Sequence, residues 1–149
     1  MRGLYALLIR VDRDVTVAAG GLGNLRLRRG VYVYAGSGLG TGSTSIEGRL
    51  TRHFSHVKRR HWHIDYLLSN RYCRPELAFF SNAGGRLECR LAREISQDPR
   101  VGMVYRGFGS SDCSCGGHLV FLGPERAAAE LLVSEKFKDL GLEPRRWLG

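Results

Sequence analysis

The feature that most constrains the fold is a run from a strand-like segment through a glycine-rich loop into an amphipathic helix. The segment LRLRRGVYVYAG (25–36) alternates apolar and basic residues and then becomes fully apolar, which predicts a strand entering the interior of a sheet. The loop SGLGTGSTS (37–45) follows, and Thr44 with Glu47 has the spacing of a capping box. We therefore expect a helix from Thr44 to about Lys58 that packs one face against the sheet.

The rest of the chain alternates between strand-like and helix-like patterns. The strand-like segments are 3–11, 15–19, 76–82, 101–109 and 118–123, and the helix-like segments are 61–69, 86–97 and 124–140. Together with the segment 25–36, the segments 3–11 and 15–19 are expected to form an antiparallel meander. The order β-β-β-α-α-β-α-β-β-α predicts an α/β (α+β) fold, with a small, mainly antiparallel sheet flanked by helices. At 149 residues we expect a single domain, 1–149, without repeats or a linker.

The charge balance indicates the class of partner. Lysine and arginine together number 23 against 14 aspartate and glutamate, a net charge of +9, and arginine dominates the positive side. The planar guanidinium suits phosphate, so nucleic acid is the first partner to consider and an acidic membrane surface the second. The N-terminal residues lack the pattern of a secretory signal, and no apolar stretch approaches membrane-spanning length. We therefore expect a cytoplasmic protein with no membrane partner.

Basic residues concentrate on and after the predicted helix. Its apolar face consists of Ile46, Leu50, Phe54 and Val57, and the flanking stripe consists of Arg49, His53, His56 and Arg60. Such a stripe is either an ordinary solvated face or a set of side chains positioned by packing and open to a ligand. Candidate contacts to a nucleic-acid backbone are Arg52, His56, Lys58, Arg59, Arg60, His61 and His63.

The cysteines leave a metal site open. In a cytoplasmic chain, Cys73, Cys89, Cys113 and Cys115 are expected to be free thiols or metal ligands. The segment CSCGGH places Cys113, Cys115 and His118 close to the spacing of a zinc half-site, but the usual C-x-x-C pair is absent. We do not expect structural Zn²⁺, and a zinc-stabilised interaction domain is a third possibility for the function.

Three short motifs carry a resemblance to a known family. Hydrolysis of a phosphodiester needs a base for water, positive charge for the phosphate oxygens and support for the leaving group. The segments GLY (3–5), YAG (34–36) and SIEGRLTRHF (45–54) resemble the GIY-YIG nuclease superfamily. The segments HWHIDYLL, LECRLA and GFGSSDCSCGGHL extend the resemblance to an uncharacterised branch found alone or fused to endonuclease III-type DNA glycosylases.

The resemblance implies an active site and a substrate. Its catalytic residues would be Tyr5, Tyr34, Arg49 and His53, and Glu88 would hold one Mg²⁺ or Mn²⁺, with Glu94 as the competing carboxylate. It implies a metal-dependent endonuclease that hydrolyses DNA in repair or processing and a functional association with a DNA glycosylase. RNA remains open as a substrate. The alternative function is a non-catalytic nucleic-acid-binding module on the same scaffold.

The spacing of the two tyrosines departs from the family pattern. Residues 6–33, 28 in number, separate Tyr5 from Tyr34, whereas a short hairpin usually joins the two motifs. An inserted strand around residues 15–24 would explain the difference. A rival assignment uses Tyr32, which lies on the same strand as Tyr34. We favour Tyr5 because the family takes its two tyrosines from different strands.

Overall fold

The computed structural model describes residues 1–56, 60, 62–83, 86–108 and 118–149, and all structural statements below concern these residues. The strands are β1 Gly3–Val11, β2 Val15–Ala18, β3 Asn24–Leu27, β4 Gly30–Gly38, β5 Cys73–Asn82, β6 Val104–Tyr105, β7 Leu119–Gly123 and β8 Arg145–Trp147. The helices are α1 Ile46–Phe54, α2 His63–Leu68, α3 Arg86–Ser96 and α4 Arg126–Asp139. None of these helices has the length and apolar character needed to cross a membrane.

A six-stranded antiparallel sheet in the order β6-β7-β4-β1-β5-β8 forms the centre of the fold, with helices on both faces. Strand β1 pairs with β4 on one side and β5 on the other, so both of its hydrogen-bonding edges are paired. Tyr5, Leu7 and Ile9 face a core shared with α1 and α2. Leu4, Ala6 and Leu8 face the core beneath α3 and α4. This two-sided burial explains the unbroken apolar run of β1 and confirms the predicted α+β class.

The predicted meander is wrong, because β2 and β3 form a separate two-stranded hairpin between β1 and β4. The expected strand 25–36 is divided at Arg28 and Arg29, and β4 begins at Gly30, whose φ of +146° is rarely accessible to other residues. Val11 pairs with Gly30, so β1 and β4 lie side by side although the hairpin separates them in the chain. The inserted segment that would allow Tyr5 and Tyr34 to meet is therefore present.

Helix α1 differs from its prediction at both ends. Ser45, rather than Thr44, is the N-cap: its hydroxyl accepts a hydrogen bond from the Gly48 amide at 3.0 Å. The Thr44 hydroxyl instead donates to the Thr41 carbonyl at 2.9 Å, so the predicted capping box is not formed. The helix ends at Phe54 rather than near residue 58, because the next residue adopts an extended conformation. Of the predicted basic stripe, only Arg49 and His53 lie on the helix.

The second half of the chain follows the predicted order with shifted boundaries. Strand β5 begins three residues before the predicted residue 76, at Cys73. Of the predicted strand 101–109, the described residues 101–108 contain β6 at Val104–Tyr105. Strand β8 was not predicted, since three residues are too few to reveal an alternating pattern. It pairs with residues 78–80 of β5 and completes the edge of the sheet.

Candidate active site

The two tyrosines meet on the face of the sheet that α1 covers. Tyr5 is paired across the strands with Gly36, and Leu7 with Tyr34, so the tyrosines are diagonal neighbours on β1 and β4. Their ring centroids are 6.3 Å apart. Both side chains are nearly closed to solvent, with 1% and 7% of their surface exposed. The rival Tyr32 packs instead against Tyr105 and Phe121, with centroids 6.0 and 5.0 Å away.

His53 completes an aromatic cluster with the tyrosines. It comes from the last turn of α1, and its Nε2 lies 2.7 Å from the Tyr5 hydroxyl oxygen. Its ring centroid is 5.4 Å from that of Tyr5 and 6.1 Å from that of Tyr34. Burial first, and then the neighbouring Tyr34, raise the pKa of Tyr5 well above its ordinary value. Tyr5 therefore keeps its proton at neutral pH, within hydrogen-bond distance of His53 Nε2.

Gly36 is the residue that makes room for Tyr5. A Cβ atom at this position would lie 2.5 Å from Tyr5 Cζ and 2.6 Å from its hydroxyl oxygen. The ring cannot move aside cheaply, because it is buried and hydrogen-bonded to His53. The glycine of the YAG motif thus has a steric reason in this fold.

Gly36→Ala is expected to lower the free energy of unfolding by about 1–3 kcal/mol, since the added methyl group displaces the Tyr5 ring. Urea unfolding measures the loss. Gly21→Ala is the matched control, because a Cβ there meets no atom within 4 Å. It should change stability by less than about 0.5 kcal/mol. Equal effects of the two substitutions would contradict the steric role of Gly36.

Three buried tyrosines make stability sensitive to alkaline pH. Burial is the largest cause of raised pKa values at Tyr5, Tyr32 and Tyr34. In the unfolded chain these phenols ionise near pH 10, while in the folded protein they stay protonated to higher pH. The native state then binds more protons than the unfolded state, so stability falls as pH rises above about 10.

With all three phenols contributing, the free energy of unfolding should fall by up to about 4 kcal/mol per pH unit above pH 10. Urea unfolding between pH 9 and pH 11 tests this. Tyr5→Phe removes one titrating group and should reduce the slope by about one third. A stability that stays constant from pH 9 to pH 11 would contradict the burial of these phenols.

Arg49 lies beside this cluster. Its positive charge and a hydrogen bond from its side chain oppose the rise in the Tyr5 pKa. Its guanidinium carbon lies 4.7 Å from the centroid of the Trp62 ring, in cation–π range. Its Nε is buried and has no hydrogen-bond partner among the described residues. The guanidinium thus lies between the Tyr5 hydroxyl and the Trp62 ring, at the edge of the tyrosines.

Arg52, one turn further along α1, is engaged by a buried carboxylate. Its Nη2 lies 2.8 Å from Oδ2 of Asp65, which is fully buried. The same oxygen accepts a hydrogen bond from the Trp62 amide at 2.9 Å, and the guanidinium carbon of Arg52 lies 4.9 Å from the Trp62 ring centroid. Arg52 was predicted to contact nucleic acid, and its guanidinium lies in this ion pair instead of extending freely into solvent.

Glu88 approaches the tyrosines from the first turn of α3. Its Oε2 accepts a hydrogen bond from the Ser37 hydroxyl at 2.8 Å, and its Oε1 lies 3.4 Å from His118 Nδ1. Its negative charge contributes to the raised pKa of Tyr34, after burial. Glu94 is six residues further along α3, about 240° around the helix axis. Of the two candidate carboxylates, Glu88 is the one that faces the site.

Sequence reasoning did not assign roles to Ser37 and His118. His118 is 3% exposed, and its Nδ1 lies 2.9 Å from the carbonyl oxygen of Ala35, to which it donates. Ser37 follows the YAG motif directly, on the part of β4 that passes α3. A polar residue next to the motif was the available signal for Ser37. The CSCGGH segment singled out His118 without indicating its contact with Glu88.

The site fits a divalent cation held by few protein ligands. Magnesium and manganese prefer oxygen ligands and retain several waters, so one carboxylate such as Glu88 with substrate oxygens can hold them. Glu88 is 24% exposed and is accessible to such an ion. No cluster of three or more histidine, cysteine, aspartate or glutamate side chains suited to a metal occurs within the described part of the chain.

The other predicted contact residues lie near the end of α1. His56 and Arg60 are exposed, and the guanidinium carbon of Arg60 lies 5.7 Å from the Tyr66 ring centroid. His63 is partly buried, which lowers its pKa, and its ring centroid is 5.5 Å from that of Phe108. Predictions at Lys58, Arg59, His61, Cys113 and Cys115 lie outside the described residues. Cys73 and Cys89 are free thiols.

The fold and site together define a small α+β protein with a buried cluster of two tyrosines and a histidine, bordered by an arginine and a glutamate. A family model described as a domain of unknown function, DUF123, matches residues 4–142, and the chain belongs to this family. The matched range includes every residue of the cluster. No curated protein and no solved structure matches the chain.

Proposed function

We propose that this protein is a metal-dependent endonuclease related to the GIY-YIG superfamily and that it hydrolyses phosphodiester bonds of DNA. The observation that carries the proposal is the convergence of Tyr5, Tyr34, His53 and Arg49 on one sheet face, with Glu88 approaching from α3. These are the residues that the motif resemblance assigns to catalysis. A net charge of +9 supports a nucleic-acid substrate.

The Tyr5–His53 hydrogen bond offers a route for the proton of the attacking water. The water would pass a proton to the Tyr5 oxygen while Tyr5 passes its own proton to His53 Nε2, 2.7 Å away. The water oxygen then bonds to phosphorus, and the bond from phosphorus to the leaving ester oxygen breaks. The leaving oxygen takes up a proton from solvent, and His53 later returns its proton to solvent. In this scheme Tyr5 remains protonated before and after each turnover.

Arg49 and Tyr34 would bind the phosphate while Glu88 holds the metal ion. Arginine can donate two parallel hydrogen bonds to phosphate oxygens and offset the charge that develops on them. The Tyr34 hydroxyl can donate a further bond. A divalent cation, when bound, supplies additional positive charge for the phosphate and the leaving oxygen.

The alternative is a nucleic-acid-binding module without catalysis. One observation favours it: Tyr5, Tyr34 and His53 are all at most 7% exposed, which leaves little of their surface open to a phosphate. Catalysis then requires the cluster to become accessible when substrate binds. A functional association with a DNA glycosylase belongs to the nuclease proposal and rests on the motif resemblance.

Cleavage of labelled DNA separates the two functions. The panel contains single-stranded, duplex, flap and abasic DNA and one RNA, each incubated with Mg²⁺, Mn²⁺ or EDTA. Wild-type protein should cut at least one substrate with metal, and Glu88→Gln should not. Glu94→Gln is the matched control, since the same change on another face of α3 should leave cutting intact. Binding that weakens with salt, with no cutting of any substrate, would establish the binding module instead.

A further inference from the structure

One buried aspartate connects to Arg49 through two intermediate side chains. Asp65 has no exposed surface and receives hydrogen bonds from Arg52 Nη2 at 2.8 Å and from the Trp62 amide at 2.9 Å. A carboxylate is rarely buried without partners, because the loss of hydration must be compensated. Asp65 therefore fixes both the Arg52 side chain and the backbone that carries the Trp62 ring.

The Trp62 ring is shared by two arginines. The guanidinium carbons of Arg49 and Arg52 lie 4.7 and 4.9 Å from its centroid. The two arginines are one turn apart on α1, so their like charges are close and repel each other. The Asp65 carboxylate compensates one of these charges, and the π face of the indole attracts both.

We propose that Asp65 is a positioning residue, which holds the Arg49 guanidinium at the candidate active site through Arg52 and Trp62. The proposal rests on the proposed function, in which Arg49 binds the scissile phosphate. Asp65 contacts neither the substrate nor the tyrosines in this scheme. It keeps Arg49 in one orientation before substrate arrives, so that the ordering cost is met during folding.

Asp65→Asn tests the proposal, because asparagine keeps the shape and an acceptor for the Trp62 amide but removes the charge that holds Arg52. The first readout is hydrogen exchange at the Arg49 Nε–H by NMR of ¹⁵N-labelled protein, with the signal assigned by its loss in Arg49→Met. This group is buried in the wild type. We expect Asp65→Asn to speed its exchange by about tenfold or more.

The second readout is cleavage of the preferred DNA. A misplaced Arg49 should lower kcat by about 100-fold with little change in KM, since the contact matters most in the transition state. Trp62→Leu provides a second variant, which removes the π face without exposing a buried charge. It should reproduce both effects.

Asp98→Asn is the matched control. Asp98 is also a nearly buried aspartate, paired with Arg100 and Lys136 at 2.9 Å each, but it follows α3 on the opposite face of the sheet. It should lower stability while leaving Arg49 exchange and kcat unchanged. The positioning role is overturned if Asp65→Asn and Trp62→Leu leave exchange at Arg49 Nε unchanged, or if Asp98→Asn changes it equally.

Failure of the nuclease proposal would give different results from failure of the positioning role. A wild-type protein that cuts no DNA removes the catalytic function, whereas the NMR readout still decides whether Asp65 holds Arg49. Unchanged exchange in an active enzyme removes the positioning role alone.

Discussion

Arg49→Met is expected to reduce DNA cleavage by about 1,000-fold or more while the protein remains folded. Methionine retains the length of the aliphatic part of the side chain, but it has no hydrogen-bond donor and no charge. The loss should appear mainly in kcat, because the guanidinium offsets charge that grows as the phosphate reacts. Steady-state kinetics on the preferred DNA, with circular dichroism as a check on folding, measure it.

A matched substitution separates a local effect from a general loss of positive charge. Arg93→Met removes the same group from an exposed position near the end of α3. It should leave kcat within about twofold and affect only salt-dependent binding. Equal losses in the two variants would show that Arg49 acts as one surface charge among many and would contradict its place in the active site.

Arg52→Met is expected to cost about 3–5 kcal/mol of folding free energy, the largest stability effect that we predict for a single substitution. It removes the Arg52 guanidinium from the Asp65 carboxylate, which has no exposed surface. Asp65→Asn should cost less, about 1–3 kcal/mol, since the Arg52 side chain is 31% exposed and can regain water. The Arg52 substitution costs more because the partner that it leaves behind, Asp65, is the buried one.

Urea unfolding of the two single variants and the double variant tests this asymmetry. The double variant removes both charges, so it should be more stable than Arg52→Met alone. A double variant less stable than Arg52→Met would contradict the view that the buried charge of Asp65 causes the loss. Equal costs for the two single substitutions would contradict the inequality.

The sequence predicted the elements that depend on local patterns better than those that depend on contacts between distant segments. The apolar run 3–11 forms β1, as expected. The segment 86–97, whose apolar residues recur at helical spacing, forms α3. The cap of α1 was displaced by one residue, because Thr44 and Ser45 are both good caps and the backbone decides between them. The hairpin was not recognised as separate, since strand pairing over long separations leaves no local signal.

The candidate site shows the same division. The motifs identified Tyr5 and Tyr34, and the structure brings them together through the register of β1 and β4. The motif resemblance favoured Glu88 over Glu94, and the hydrogen bond from Ser37 on β4 gives the contact, which no spacing within α3 reveals. The ion pair between Arg52 and Asp65 likewise joins two helices, and its two residues lie 13 positions apart in the chain. Local spacing shows which residues share a helix face, but it does not show which partner they meet.

The central place of β1 has a consequence for how this chain acquires its structure during synthesis. Both strands that pair with β1 are made later, and β5 is complete only at Asn82. At about 5–20 residues per second, the ribosome needs roughly 4–14 s to extend the chain from Val11 to Asn82. Throughout that interval β1 lacks at least one of its two partner strands, so the nascent chain offers chaperones an apolar binding segment before the sheet is complete.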